Sequence, residues 1–322
     1  MAWENDTSIK EFILLGLSSN PYIQKILFAI FWVMYLVILI ANSVIIIATI
    51  MDSRLHTPMY FFLRNLSFVD ICYSSSTIPR MLRDLLSTSK AISYEECVSQ
   101  MYISLGLGIT ECILLAVMAY DRYIAICFPL HYCTIISPST CIKIAIGTWI
   151  CGFLSSVVQF VLTLSVDLCG RNKINHFMCE IPEILSLGCG NVKVVEFVLF
   201  VVAVFILIIP VSFIIISYIK IIRAILKIST VAGQKKAFST CGSHVIVVTV
   251  FYGSAMAAYM KSQSESSSDA NKHFAIFYII VTPLLNPLVY TLRNKEVNSA
   301  LKLCWQKHQK IDQRTMQSPH RS

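Results

Sequence analysis

Seven long runs of mostly apolar residues alternate with short polar connections along the chain, at about 26–50, 59–83, 98–126, 141–164, 194–222, 238–260 and 273–292. A helix needs about 20 such residues to cross a hydrocarbon core roughly 30 Å thick, and each run meets that length. The second run is the most polar, because it holds Arg64, Asp70 and Arg80. One connection stands out: about 30 residues separate the fourth and fifth runs, at about 165–193, a length that signals a function or a fold of its own. The pattern predicts an all-α integral membrane protein, a seven-transmembrane helix bundle. An N-terminal arm (1–25) precedes the bundle (26–292), and a tail (293–322) carrying a short amphipathic helix follows it.

Composition agrees: of 322 residues 56% are hydrophobic and 14% charged, against about 25% charged in ordinary soluble domains. Seven spans put the two ends of the chain on opposite sides, and charge assigns the sides. Ten Lys and Arg residues share the N-terminal side and sixteen the other, concentrated in Lys220–Lys236 and Arg293–Arg321. Positive residues collect in the cytoplasm, so the N-terminus is expected outside and the tail inside. The net charge of +8 reflects that bias, and no nucleic-acid partner is expected. The triplet Asn5-Asp6-Thr7 is then a candidate glycosylation acceptor. No cleaved signal peptide is expected, since no basic start leads into a long apolar core before the first span.

On this topology only Cys97, Cys169, Cys179 and Cys189 face outside, an even set that suggests disulfides and leaves three pairings open. The other cysteines are expected to stay reduced, with Cys304 in the tail a candidate for palmitoylation. His176, Cys179 and Glu180 carry the ligand types of copper or zinc, although a disulfide at Cys179 would remove the thiolate. Within the spans, Asp70 and Glu111 are expected at similar depth, with Asn42 and Asn286 as amide partners. Two carboxyls in a low dielectric cannot both ionise without a cation. A sodium or proton site and a static polar network both fit. Asp121 and Arg122 close the third run; at 1.5 Å per residue Arg122 lies about 38 Å beyond Cys97, at the cytoplasmic interface. Asp121 is expected to hold Arg122 by a charge-assisted bond, at a level that Tyr218 and Tyr290 can reach.

The segments LHTPMYFFLRNLSFVDIC (55–72), MAYDRYIAIC (118–127), SY (217–218), KAFSTCGSH (236–244), FYG (251–253) and PLLNPLVYTLRNKEV (283–297) resemble the rhodopsin-like G-protein-coupled receptors. Within them they resemble the odorant (olfactory) receptors of land vertebrates, as does CGRNKINHFMCE (169–180) in the long loop. Ala41 stands where that family has glycine, and Gly242 where serine or alanine is usual, which weakens the helix by about 1 kcal/mol relative to Ala. The resemblance implies bridges Cys97–Cys179 and Cys169–Cys189, a candidate sodium pair in Asp70 and Glu111, and no required cofactor. It implies that Arg122, flanked by Asp121 and Tyr123, meets the G protein, with Tyr218 and Tyr290 as active-state partners and Pro287 permitting movement of the last span. It also implies an olfactory stimulatory G protein, cyclic AMP signalling, and residence in the plasma membrane among its lipids.

Ser104, Leu105, Gly108, Ile109 and Cys112 follow one face of the third helix. The resemblance places Ala203, Ile206 and Leu207 of the fifth span opposite, with Tyr252, Ala255 and Tyr259 from the sixth and Ile279 from the seventh. Together they describe a small, mainly apolar cavity for a neutral hydrophobic volatile, with Ser104 or Tyr259 as a polar handle. No Asp on that face of the third span speaks for an amine, and no deep Lys or Arg speaks for an acid. A lipid or peptide receptor is the nearest alternative. A transporter would need a polar path or paired interrupted helices, and the histidines His56, His131, His176, His244 and His273, at loops or helix ends, do not converge on a nucleophile as an enzyme would need.

Overall fold

The apolar runs fold as helices, and local capping carries those helices past the runs. The computed structural model describes residues 9–190, 192–260 and 268–292. In chain order the elements are β1 (Glu11–Leu14), α1 (Pro21–Met51), α2 (Pro58–Leu86), β2 (Ala91–Ser93), α3 (Tyr94–Cys127), α4 (Tyr132–Ile135), α5 (Pro138–Leu164), β3 (Lys173–Ile174), α6 (Ile181–Leu185), α7 (Val192–Ile225), α8 (Val231–Tyr259) and α9 (Ser268–Ile276). A π-helical turn, Phe277–Val281, joins α9 to α10 (Thr282–Leu292). The helices α1, α3, α5, α7 and α8 and the stretch Asn271–Val289 are long and apolar enough to cross a membrane. The seventh, α2, is more polar, and it offsets that polarity near its end, where Arg80 Nε lies 2.9 Å from Asp84 Oδ2.

Helix boundaries differ from the expected ones for a physical reason. The first helix starts at Pro21, ahead of the apolar run that begins near 26. Asn20 Oδ1 accepts from the Tyr22 (2.9 Å) and Ile23 (3.4 Å) amides, and Pro21 sits where a missing N–H costs nothing. Likewise α8 starts at Val231 rather than 238, under a cap in which Thr230 Oγ1 accepts from the Gly233 amide. Hydrophobicity marks the thickness of the membrane, whereas caps mark the ends of helices. A consequence is that His244, expected near a helix end, is buried inside α8. Asn5, Cys304 and the amphipathic helix expected in the tail lie outside the described residues.

Burial ranks the helices. In its most apolar window α3 is 67% buried, while α1 and α7 are 22% and 17% buried. Thus α3 is the axis of the bundle, and α1 and α7 turn side chains such as Ile40, Phe205 and Ile209 outward, as lipid contact requires. Between apolar helices in lipid, close packing replaces the hydrophobic effect as the source of association, and it favours small residues. At the α3–α5 crossing a side chain on Gly152 would overlap Thr110 Oγ1 and come within 3.1 Å of the Gly106 carbonyl oxygen.

The all-α expectation missed a small sheet. Its order is β2–β1–β3, with Phe12 opposite Ile92 in the antiparallel pair and Ile13 beside Lys173 in the parallel one. Phe12, Leu14, Ile92 and Ile174 pack with Cys97, Met101 and Cys179 into a second hydrophobic cluster over the end of α3.

Gly152→Leu is expected to reduce surface-delivered receptor severely, since overpacking of this kind costs about 1–3 kcal/mol. Gly147→Leu, where an added Cβ meets nothing within 4 Å, is expected to leave it unchanged. Surface labelling of tagged receptor measures both.

Candidate functional site

The loop between α5 and α7 is fixed from three directions. Disulfides join Cys97 to Cys179 (Cα–Cα 5.4 Å) and Cys169 to Cys189 (6.1 Å), the pairing the resemblance implied. The seven other described cysteines are free. Beside the first bridge the Cys179 amide donates to Gln100 Oε1 (3.0 Å), and Gln100 Nε2 donates to the Ser76 carbonyl (3.1 Å), so one α3 side chain ties the loop to α2. The Leu15 and Gly16 amides donate to the Ile174 and His176 carbonyls at 2.9 and 3.0 Å. Gly16 adopts φ +72°, a conformation that glycine reaches without strain. On the far side Lys272 Nζ donates to Asn175 Oδ1 (2.8 Å), and the Tyr278 hydroxyl donates to Glu180 Oε1 (2.7 Å). Burial pushes the Glu180 carboxyl up to about 7 despite that hydrogen bond. It pushes His176 down to about 3, with Lys272 adding to the effect. Among the described residues no three His, Cys, Asp or Glu side chains form a metal-binding group, and the Cys179 sulfur is committed to its bridge.

Under this loop lies a cavity of about 70 Å³ between α2, α3, α5, α7 and α8 and the π-helical turn. Ten of the twelve expected residues line it: Ser104, Leu105, Gly108, Ile109, Cys112, Ala203, Ile206, Leu207, Ala255 and Tyr259. Two do not. Tyr252 points instead at α3, where its hydroxyl donates to the Cys112 carbonyl (2.8 Å), and Phe251 takes its place in the wall. Ile279 is fully buried in the helix core, and the π-helical turn presents Tyr278 to the cavity instead. An extra residue in a helical turn rotates the register, which helical periodicity cannot foresee. Sequence reasoning also missed Tyr73, Met101, Gln159, Glu180 and Ile181. The signal available was the bridge itself: once Cys179 is joined to α3, its neighbours Glu180 and Ile181 must lie over the bundle. Polar groups in the wall are therefore more numerous than expected. Ser104 Oγ is taken up by its own helix, donating to the Gln100 carbonyl at 2.6 Å.

Deeper in the bundle Asp70, Glu111, Asn42 and Asn286 are all buried. Asn286 Nδ2 donates to both Asp70 oxygens, at 3.0 and 2.9 Å. Asn42 Nδ2 donates to the Ile38 and Pro283 carbonyls at 3.0 and 3.1 Å. Both Glu111 oxygens, Asn42 Oδ1 and Asn286 Oδ1 are buried without a hydrogen-bond partner among the described residues. Such a set of unpaired oxygens beside two carboxyls fits a small cation.

At the other end of α3 the expected Asp121–Arg122 bond is not formed. Asp121 Oδ1 instead accepts from the Tyr132 hydroxyl (2.7 Å), and Arg122 Nε is buried without a partner. Adjacent helical residues point some 100° apart, so Asp121 turns toward α4 while Arg122 turns inward. The Tyr218 hydroxyl meets His244 Nδ1 (2.8 Å), and Lys220 Nζ lies 5.3 Å from the Tyr123 ring centre. Pro287 lies inside α10; the Tyr290 side chain is outside the described part of the structure.

A seven-helix bundle with a loop-roofed cavity at one end of its central helix and a buried arginine at the other has the architecture of a membrane receptor. The profile of the olfactory receptor family matches residues 31–307. Olfactory receptor 2B2 of Homo sapiens is 48% identical over 302 residues, covering 94% of this chain and 85% of that protein. Olfactory receptor 2C1 of Mus musculus is 46% identical over 301 residues, covering 94% and 96%. Olfactory receptor 13D1 of Homo sapiens is 48% identical over 308 residues, covering 96% and 89%. The chain belongs to the olfactory receptor family. It is accordingly a multi-pass G-protein-coupled receptor of the plasma membrane, and not an enzyme.

Tyr132→Phe removes the hydrogen bond that holds Asp121. A net value of about 0.5–1.5 kcal/mol for such a bond predicts roughly two- to tenfold more ligand-independent signalling. Nucleotide exchange on a coupled G protein, normalised to surface receptor, measures it.

Proposed function

We propose that the protein is an odorant receptor that takes a small, mainly hydrophobic volatile into the loop-roofed cavity and activates a stimulatory G protein, raising cyclic AMP. The observation that carries this reading is the cavity of about 70 Å³ with its apolar wall from Leu105, Ile109, Ala203, Ile206 and Leu207. Enclosure by side chains from five long helices, α2, α3, α5, α7 and α8, suits a compact guest, and the bridged loop leaves little room for a peptide. The absence of an acid on the cavity face of α3 supports a neutral guest, and Glu180 brings an acid from the loop.

The N-terminus is outside and the Arg122 end cytoplasmic, a reading supported by the excess of Lys and Arg at that end. Ligand in the cavity touches α3, α7 and α8 together and favours the arrangement in which the far end of α8 moves outward. A ligand can shift this equilibrium only by the difference in its affinity for the two arrangements. Tyr218, now held by His244, and Tyr290 then become partners for Arg122. Pro287 weakens the ladder of α10 and lets that segment move. Asp70, Glu111 and Asn286 would hold a sodium ion, which supplies the positive charge that two buried carboxyls need.

Cyclic AMP is measured in cells expressing the full chain and a stimulatory G protein, challenged with pooled volatiles and scored against surface-labelled receptor. A response to volatiles that disappears in Arg122→Ala is the expected result. Good surface expression with silence across the pools would overturn the odorant reading in favour of a lipid or peptide ligand.

A further inference from the structure

Besides Ser104 and the tyrosines Tyr73, Tyr259 and Tyr278, the loop and α5 each bring one polar side chain into the cavity wall. Glu180, 7% exposed, lines it from the loop. One of its oxygens, Oε1, accepts from the Tyr278 hydroxyl at 2.7 Å. Among the described residues no ion pair reaches the carboxyl, and Oε2 has no hydrogen bond. Gln159, 4% exposed, lines the cavity from α5, and its Nε2 is a buried donor without a partner. A buried donor left unmade is costly, and the second Glu180 oxygen is an acceptor to which no described side chain of the wall donates. The two deficits are opposite in kind: one group needs a donor, the other an acceptor.

Resting on the odorant reading of this cavity, we infer that Glu180 and Gln159 are specificity-determining residues for a ligand hydroxyl, which donates to Glu180 and accepts from Gln159. An alcohol or phenol on a compact hydrocarbon body satisfies both residues. An ether or a ketone of the same shape accepts from Gln159 but leaves the ionised form of Glu180 without a donor. A site built to hydrogen-bond a hydroxyl rejects the analogue that lacks it more strongly than an apolar pocket rejects a missing methylene. Glu180 thus narrows the ligand class from volatiles in general to hydroxylated ones.

The test uses matched compounds on linear, branched, cyclic and aromatic skeletons, each as alcohol, methyl ether, carbonyl compound and amine. Cyclic AMP dose responses are recorded for the full chain at equal surface expression. Within each active set the alcohol is expected to be more potent than the ether and the carbonyl by about tenfold or more. Glu180→Gln keeps an acceptor for Tyr278 but presents an amide donor to the ligand, so it is expected to abolish that ranking. Gln159→Leu should weaken all three oxygen-bearing ligands together and leave the ranking in place. Tyr278→Phe, which breaks the tie between loop and helix, should also leave it in place. A purely structural role for Glu180 predicts the reverse: general loss in Tyr278→Phe and little change in Glu180→Gln. Equal potency of alcohol and ether, preference for the amine, or a ranking that survives Glu180→Gln overturns the inference. Activation by other volatiles with silent alcohols overturns it alone, whereas silence to every volatile overturns the odorant reading on which it rests.

Discussion

The disulfide between Cys97 and Cys179 is the constraint on which the receptor's ligand end depends. It fastens the middle of a long loop to the first turn of the helix that forms the axis of the bundle. Everything nearby follows from that tether. The Cys179 amide reaches Gln100, the strand Lys173–Ile174 comes alongside β1, and Glu180 is carried over the cavity to Tyr278. Closing a loop between residues 82 apart removes much of the unfolded chain's freedom, a stabilisation of about 4–5 kcal/mol in the chain-entropy account. Without it, a polar loop carrying a buried carboxyl and a buried histidine would return to water.

The interior divides its polar groups into satisfied and unsatisfied ones. Asp70 accepts from Asn286, and Asp121 from Tyr132, and these bonds hold α2, α10, α3 and α4 in place. Glu111, Arg122 Nε and Gln159 Nε2 are left wanting. These three lie on the central helix and on α5 at three levels: cavity, mid-membrane and the far end. A bundle with every polar group paired would be a more stable and less responsive object. The distribution fits a receptor, in which a ligand, an ion and a partner protein each complete one level.

Much of the fold was legible because lipid imposes a strong pattern. Seven apolar runs and the inward face of α3 were readable from residue order, and Ser104 to Cys112 took the cavity face that helical spacing gives them. What escaped reading came from breaks in that periodicity. The π-helical turn exchanged Ile279 for Tyr278, and Tyr252 turned to the Cys112 carbonyl. The Asp121–Arg122 pair failed because neighbours on a helix do not face each other, a constraint that sequence adjacency hides. The sheet escaped because strands of four, three and two residues carry no periodic signal. Glu180 and Gln159 were missed because one belongs to a loop whose path only the bridge defines, and the other is a lone polar side chain on a span from which no cavity residue was expected.

Hydrogen–deuterium exchange of purified receptor, with and without the Cys97–Cys179 bridge, tests this account most directly. The loop amides Ile174 to Leu185 should exchange slowly in the bridged protein. They should lose that protection in a Cys97→Ala, Cys179→Ala double variant, while the central part of α3 stays protected. Loop protection that is the same in both proteins would contradict the account, because the roof of the cavity would then stand without the tether said to build it.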